Sequence, residues 1–171
     1  NSQIQTKNDK RALALSNGTK FILQKIDVWN SLEGKLTQIK TIHTSQKGTF
    51  GRSLLEAEEF EQEALGYIIS YGDLITALQE KISHSKNIEA LYNTEVLSFA
   101  RKEKTQNLIF KYKSKEKSLN CDLLVLADGG GSEINGISIE RSNKFFDHSA
   151  LVTSVETDIP HSNIAYERFT N

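Results

Sequence analysis

The chain has 171 residues, a formal net charge of −1 and hydrophobic residues at 37% of its positions. This length corresponds to about one domain or two small ones, and the balanced charge excludes a whole-chain field for nucleic acid or an anionic membrane. No apolar run approaches the roughly 20 residues that a membrane-spanning helix needs. The single cysteine excludes an internal disulfide framework and indicates a reducing compartment. Because methionine is absent, we interpret the chain as an internal piece of a longer protein.

Apolar spacing and turn residues predict a mixture of helices and strands. In the first half of the chain the predicted elements are a helix near 17–26 capped by Ser16 or Asn17, a shorter helix near 28–33, a strand over 39–44 followed by a turn at 46–48, a strand over 66–70, and a helix starting at Gly72 and Asp73. In the second half they are strands over 88–92, 96–99, 108–112, 121–126, 150–155 and 164–169. These elements predict the α+β class.

Two charged segments have a structural and a functional interpretation. Residues 101–117 contain seven positive residues and two glutamates, a net charge of +5. They suit a solvated hairpin whose lysines protect an edge strand, or alternatively a contact with anionic lipid or an acidic partner. Residues 56–63 contain five glutamates and no positive charge, and we interpret them as a solvated face.

The segment with the clearest chemical use follows the apolar run 122–126, which predicts a strand buried on both faces. The run leads into Asp128, Gly129 and two more glycines, and then Ser132. Glycines let a ligand approach the backbone, a carboxylate at a strand end can accept hydrogen bonds from ribityl or ribose hydroxyls, and Ser132 can cap a following helical turn. Glycine-rich turns are also common after strands without any ligand. The chain contains no G-x-G-x-x-G, so it lacks a complete dinucleotide-binding unit.

The stretch 122–132 resembles the LLVxADGxxS block of the FAD-dependent aromatic hydroxylases, the single-component flavin monooxygenases. Other stretches resemble the same family in the same order: 9–16 with the pattern D-x-R-A-x-A-L, 28–32, 42–51, 64–69, 146–152 and 160–170. Among the branches of this family, the ubiquinone-biosynthesis hydroxylases are most similar, in particular the 2-octaprenyl-6-methoxyphenol hydroxylases.

The resemblance implies a piece of an α/β family fold in which part of a Rossmann-type FAD domain is interleaved with a β-sheet substrate domain. Residues 1–35, 72–100 and 105–140 would form the partial FAD domain. Residues 36–71 and 141–171 would form the partial substrate domain.

The resemblance also implies a cofactor site. Arg11, Asp128, Gly129 and Ser132 would contact the cofactor, while no catalytic acid–base residue and no metal ligand is expected. FAD and NAD(P)H would serve the complete protein, and the isolated piece would be empty and inactive. Asn135 and Gly72 depart from the family, which often has Arg and a polar or basic residue there.

The function implied is an FAD- and NAD(P)H-dependent monooxygenase that hydroxylates a polyprenylated phenol in ubiquinone biosynthesis. Its location would be cytoplasmic. Contacts with the inner membrane surface or with other ubiquinone-biosynthesis proteins are left open, and no nucleic acid partner is expected. The alternatives are another flavin-dependent aromatic or isoprenoid oxidoreductase of this fold and, for the piece alone, an inert or ligand-binding β-rich module.

The predicted strands also suggest an exposed apolar face. The residues that would supply it are Ile39 and Ile42, Tyr67 and Ile69, Leu151, Thr153 and Val155, and Ile164 and Tyr166. Because a soluble monomer rarely exposes a large apolar patch, we expect either a homodimer through this face or loose chain ends.

Overall fold

A computed structural model describes residues 8–102, 105–129, 134–137, 140 and 142–170. The helices are α1 (Asn17–Lys25) and α2 (Tyr71–His84), with 3₁₀ turns at Trp29–Leu32 and Ala57–Phe60. The strands are β1 (Ala12–Ser16), β2 (Thr37–Ile39), β3 (Thr41–Gln46), β4 (Arg52–Glu56), β5 (Gly66–Ser70), β6 (Thr94–Lys102), β7 (Thr105–Tyr112), β8 (Lys115–Cys121) and β9 (Ile164–Phe169). This mixture of sheets and helices confirms the α+β class. The Rossmann-type and interleaved arrangement stays a prediction.

The chain forms two compact units, one combining Asn1–Ile88 with Ala150–Asn171 and the other consisting of Glu89–Ser149. The first contains the three-stranded sheets β1-β5-β2 and β4-β3-β9 with both helices, and the second contains the sheet β6-β7-β8. The predicted assignment of segments to an FAD domain and a substrate domain stays a prediction.

Helix α1 forms where the sequence predicted it. Its N-cap is Ser16, whose Oγ accepts a hydrogen bond from the Thr19 amide at 3.2 Å, so one otherwise unpaired N–H of the first turn is satisfied. The predicted shorter helix is the 3₁₀ turn at Trp29–Leu32, and Gly34 follows it with a φ of +80°. Helix α2 has Ser70 as N-cap and therefore begins at Tyr71, one residue before the predicted start.

The core of the first unit lies between the sheet β1-β5-β2 and the helical segments. Its buried side chains are Leu15, Leu23, Val28, Trp29, Leu32, Ala64, Tyr67, Ile69 and Ala77. The rings of Trp29 and Tyr67 meet edge to face with their centres 4.9 Å apart. The prediction that Tyr67 and Ile69 supply an exposed apolar face is wrong, because both side chains are buried in one cluster with residues of the two helices and of the 3₁₀ turn Trp29–Leu32.

The predicted strand 39–44 is divided between two sheets. Strand β2 pairs antiparallel with β5, whereas β3 pairs antiparallel with β4 and parallel with β9. Lys40 separates them, its N–H donating to the Asn163 carbonyl at 2.8 Å and its carbonyl accepting from the Ala57 N–H at 2.9 Å. The predicted turn at 46–48 and strand at 164–169 are both confirmed.

The second unit is a meander in which β6 pairs with β7 and β7 with β8, both antiparallel. The predicted strands 96–99 and 108–112 lie within β6 and β7. In the described part of the basic segment, the hairpin of β7 and β8 carries exposed lysines at 111, 113, 115 and 117.

Three predicted strands are wrong: 88–92, the run 122–126 and 150–155 are not strands. Leu123 is 73% exposed, Val125 is 70% exposed and Leu151 is 95% exposed. An apolar run becomes a buried strand only when neighbouring strands satisfy its backbone, and none of the described strands pairs with these segments.

Gly66 begins the central strand β5, between Ser16 of β1 and Ile39 of β2. A Cβ at this position would lie 2.9 Å from the Leu15 carbonyl oxygen, which belongs to a paired strand and cannot move away freely. We expect Gly66→Ala to lower the free energy of unfolding by about 1–3 kcal/mol in urea titrations followed by circular dichroism.

Gly18→Ala in helix α1 is the matched control. Its Cβ would meet only the Ser16 Oγ, at 3.6 Å, and alanine is the better helix former, so we expect unchanged or higher stability. Equal loss in the two variants would contradict the argument from close approach in the sheet.

Candidate functional site

Arg11 lies directly before β1, and its side chain is fixed by Asp9. The guanidinium Nη2 donates to the Asp9 Oδ2 at 2.6 Å, and Nε donates to Oδ1 at 3.0 Å and to Oδ2 at 2.9 Å. The Arg11 backbone N–H also donates to Oδ1 at 3.0 Å. Among the described residues, side-chain hydrogen bonds of Arg11 therefore use Nε and Nη2, which leaves Nη1 on the opposite edge of the fork for a ligand.

The backbone brings Arg11 to the first turn of helix α2. The Tyr71 N–H donates to the Arg11 carbonyl at 2.8 Å, and the Gly72 N–H donates to the Asp9 carbonyl at 2.9 Å. The guanidinium carbon lies 5.1 Å from the centre of the Tyr71 ring. A cavity of about 430 Å³ lies beside this pair and is also lined by Leu13 and Val152. The Arg11 guanidinium therefore lies against an aromatic ring and borders a cavity.

The Asp9–Arg11 pair is charged at neutral pH. Hydrogen bonding to Arg11 lowers the pKa of the Asp9 carboxyl, and hydrogen bonding to Asp9 raises the pKa of the Arg11 guanidinium. Because the Arg11 side chain is 66% exposed, the pair contributes little to stability, and its physical effect is to fix the orientation of the fork.

The structure contains a second polar site that the sequence did not predict. Lys20 of α1 donates to the Tyr67 hydroxyl oxygen at 2.7 Å and to the Glu63 Oε2 at 3.0 Å. The Tyr67 hydroxyl donates to the same Oε2 at 3.1 Å, and the Gln38 amide donates to Oε1 at 2.6 Å. The ammonium group lies 5.4 Å from the centre of the Trp29 ring. We call these residues (Lys20, Gln38, Glu63 and Tyr67) the Glu63 network.

The Glu63 network lines a cavity of about 690 Å³ that also contacts Trp29 and His161. Its hydrogen bonds favour the charged forms of both ionic partners: hydrogen bonding to Tyr67 raises the pKa of Lys20, and hydrogen bonding to Lys20 lowers the pKa of Glu63. The acceptors of Glu63 are already occupied by three donors. The network therefore joins α1, β2 and β5 at the rim of the cavity.

The network predicts a specific dependence of stability on pH. A carboxyl group whose pKa is lowered by folding stabilises the fold above its unfolded pKa of about 4.3 and loses that contribution as the pH falls through its folded pKa. We expect Glu63→Gln to lower the free energy of unfolding at neutral pH by about 0.5–1 kcal/mol, because solvent screens this partly exposed pair. The difference from wild type should shrink as the pH falls through the lowered, folded-state pKa of Glu63.

Glu59→Gln, in the exposed acidic run, is the control and should change stability little at any pH. Urea titrations at a series of pH values test the prediction. A Glu63→Gln deficit that persists unchanged in acid would show that the loss arises from packing rather than from charge.

The four predicted cofactor residues are divided between the two units. Arg11 belongs to the first, while Asp128 and Gly129 belong to the second, where both are exposed. Gly129 has a φ of +72°, and a Cβ there would meet nothing within 4 Å, so its backbone is accessible to a ligand. Ser132 lies outside the described residues, and the strand predicted before Asp128 does not form.

Sequence reasoning missed the Glu63 network for a simple reason. Glu63 belongs to the acidic run that we interpreted as a solvated face, and the Lys20 side chain, which is 22% exposed, approaches it from helix α1. Their separation of 43 residues leaves no local spacing signal. Trp29 is buried and also borders the cavity.

Neither described helix is long and apolar enough to cross a membrane. In the parts of the chain that the structure describes, no group of three or more His, Cys, Asp or Glu residues is placed to hold a metal ion.

No protein-family model matches the chain. It is 24% identical over 168 residues to the uncharacterized protein slr1300 of Synechocystis, an alignment that covers 98% of this chain and 40% of that protein. It is 32% identical over 118 residues to ATP synthase subunit delta of Clostridium acetobutylicum, covering 65% of this chain and 60% of that protein. The chain thus spans less than two thirds of the length of either curated relative. One relative is uncharacterized and the other is an ATP synthase subunit, so the two names do not indicate a common function.

A solved structure provides the comparison of fold. The chain superimposes on p-nitrophenol 4-monooxygenase PnpA of Pseudomonas putida DLL-E4 with a TM-score of 0.54 at 9% identity, covering 68% of this chain and 31% of that protein. At this identity the match shows the fold alone. Over the part covered, the chain shares its fold with part of PnpA, which agrees at a coarse level with the resemblance seen in its motifs.

Proposed function

We propose that the chain is a piece of an FAD- and NAD(P)H-dependent monooxygenase that hydroxylates a polyprenylated phenol in ubiquinone biosynthesis, similar to the 2-octaprenyl-6-methoxyphenol hydroxylases. The observation that carries the proposal is Arg11, held by Asp9 beside a cavity in a monooxygenase-like fold. Arg11 belongs to the D-x-R-A-x-A-L stretch on which the family resemblance depends.

The described residues suit an FAD molecule in two respects. The free edge of the Arg11 fork can donate to phosphate or hydroxyl oxygens of the cofactor, because Asp9 occupies the other edge. The exposed backbone at Gly129 permits close approach of a ligand, and the Asp128 carboxylate can accept from cofactor hydroxyls. We assign these three residues to cofactor binding, and Ser132 remains part of the proposed set by its motif alone.

In the complete protein, bound FAD would supply the redox chemistry of a hydroxylation in which NAD(P)H is the reductant and O₂ gives one oxygen atom to the phenol and one to water. The residues of this chain bind and orient the cofactor. Arg11 neutralises negative charge, Asp9 keeps the guanidinium in place, and Tyr71 supports it from the ring face. None of these roles requires an acid–base residue.

The test is a hydroxylation assay on the complete protein that contains this chain. With FAD, NAD(P)H and O₂ present, an octaprenyl methoxyphenol should stimulate NAD(P)H oxidation and gain one oxygen atom in mass spectrometry. NAD(P)H oxidation without any hydroxylated product from a panel of phenols would contradict the proposal.

A second candidate is a monooxygenase of the same fold that acts on a simpler aromatic compound. The observation that favours it is the match to PnpA, whose name specifies p-nitrophenol. Competition between p-nitrophenol and the octaprenyl phenol in the same assay distinguishes the two candidates. An inert β-rich module is the expectation only for the chain on its own.

We also propose a cytoplasmic location at the inner membrane surface, since the substrate of the first candidate carries a long apolar tail. Contacts with other ubiquinone-biosynthesis proteins and a homodimer are further proposals. The exposed Leu54 and Tyr166, both in register with His43 on one side of the sheet β4-β3-β9, support a self-contact, whereas Tyr67 and Ile69 are buried and take no part in it.

A further inference from the structure

The hairpin of β7 and β8 concentrates lysines around one tyrosine. Residues 113 and 114 form its two-residue turn, and Tyr112 pairs with Lys115 across the hairpin. The ammonium groups of Lys113 and Lys117 each lie 5.1 Å from the centre of the Tyr112 ring. We call Tyr112, Lys113, Lys115 and Lys117 the lysine–tyrosine face.

The register separates this face from the acidic residues of the hairpin. Lys115 and Lys117 are in register with Tyr112 and Phe110, so they lie on the same side of the sheet. Glu95 and Glu116 are in register with Lys111, on the opposite side. The lysine–tyrosine face therefore carries a local charge of +3, although the whole chain carries −1.

The two turn residues, Lys113 and Ser114, are not the types that this turn conformation favours. Lys113 has a φ of +51° and Ser114 a φ of +62°, the signature of a type I′ turn, which favours Asn-Gly. A lysine in this conformation is strained, so the hairpin holds a positive charge at its tip at some expense of stability.

We propose that the lysine–tyrosine face docks on a membrane surface that contains anionic phospholipid headgroups. Clustered lysines are attracted to the negative potential of such a surface, and an aromatic ring with a polar hydroxyl suits the boundary between headgroups and acyl chains. This surface does not depend on the proposed enzymatic function.

The residue types favour lipid over a partner recognised through individual phosphates. Recognition of single phosphates or carboxylates typically uses the bidentate arginine fork. The cations of this face are all lysines, which act as point charges and suit a diffuse negative surface.

The test is co-sedimentation of the whole chain with vesicles of phosphatidylcholine alone and of phosphatidylcholine mixed with phosphatidylglycerol. At about 0.01 M salt we expect the chain to bind the vesicles that contain phosphatidylglycerol and not those of phosphatidylcholine alone. Binding should weaken at about 0.15 M salt, because the Debye length falls from about 30 to about 8 Å. The variant Lys113→Gln/Lys115→Gln/Lys117→Gln should lower the partition coefficient on the order of a hundredfold.

Two further variants test whether binding depends on these particular lysines rather than on net charge or on the stability of the fold. Lys25→Gln/Lys47→Gln/Lys86→Gln removes the same charge elsewhere and should retain most of the binding. Lys113→Asn/Ser114→Gly installs the favoured turn and should fold at least as stably while binding about fivefold more weakly.

Several outcomes would overturn the proposal. These are no binding to anionic vesicles, equal binding to neutral vesicles, or equal loss in the two triple variants. Tighter face-dependent binding to polyglutamate or to a short RNA than to the vesicles would assign the face to a macromolecular partner instead.

Discussion

Leu32→Ala is expected to lower the free energy of unfolding by about 2–5 kcal/mol. Leu32 is 0% exposed and ends the 3₁₀ turn that covers the sheet β1-β5-β2. It packs in the cluster that contains Val28, Trp29 and Ile69, where truncation leaves a cavity between a sheet and a short helical turn. The loss includes both the burial of the removed methyl groups and the space left behind.

Leu151→Ala is the matched control, since Leu151 is 95% exposed in the same unit and should change stability by less than about 0.5 kcal/mol. Urea unfolding of both variants, followed by Trp29 fluorescence and circular dichroism, provides the measurement. Similar losses for the two substitutions would show that the core is not where the structure places it.

Arg11→Gln is expected to weaken FAD binding by the complete protein about 10- to 150-fold, the effect of removing hydrogen bonds to a charged partner. The guanidinium edge that faces away from Asp9 would no longer donate to the cofactor. Arg11→Lys keeps the charge but not the fork, so it should recover only part of the affinity. Titration of the apoprotein with FAD, followed by quenching of flavin fluorescence, measures these changes.

Arg52→Gln is the control for charge, because Arg52 is an exposed residue at the start of β4 in the same unit. Asp9→Asn tests the positioning role: it leaves Arg11 in place but weakens its fixed orientation, so a smaller loss is expected. Unchanged FAD affinity in Arg11→Gln would mean that Arg11 serves only the surface pair with Asp9.

Local signals predicted much of the fold. The cap at Ser16, the helical spacing of α2 and the short apolar runs within β6 and β7 are short-range properties, and the structure follows them. The wrong predictions concern strands, because a strand forms only where a neighbouring strand pairs with its backbone. The run 122–126 has the composition of a buried strand, but composition does not show whether a neighbouring strand pairs with it.

The candidate site divides in the same way. The pairing of Arg11 with Asp9 is local, because the two residues lie two positions apart. That Arg11 binds the cofactor stays a prediction. The Glu63 network could not, because it joins residues from α1, β2 and β5 whose approach depends on the order of the sheet. The positive net charge of the basic hairpin could be read from the sequence. That its lysines lie on the side of the sheet away from Glu95 and Glu116 could be known only from the strand register.

The most direct test of the central claim is the flavin content of the complete protein that contains this chain. Because the chain lacks G-x-G-x-x-G and carries only some of the proposed cofactor contacts, residues 1–171 alone should purify without flavin. The complete protein should show the flavin absorbance bands with near-stoichiometric FAD, which denaturation releases. A folded complete protein that contains no flavin and does not bind added FAD would contradict the account.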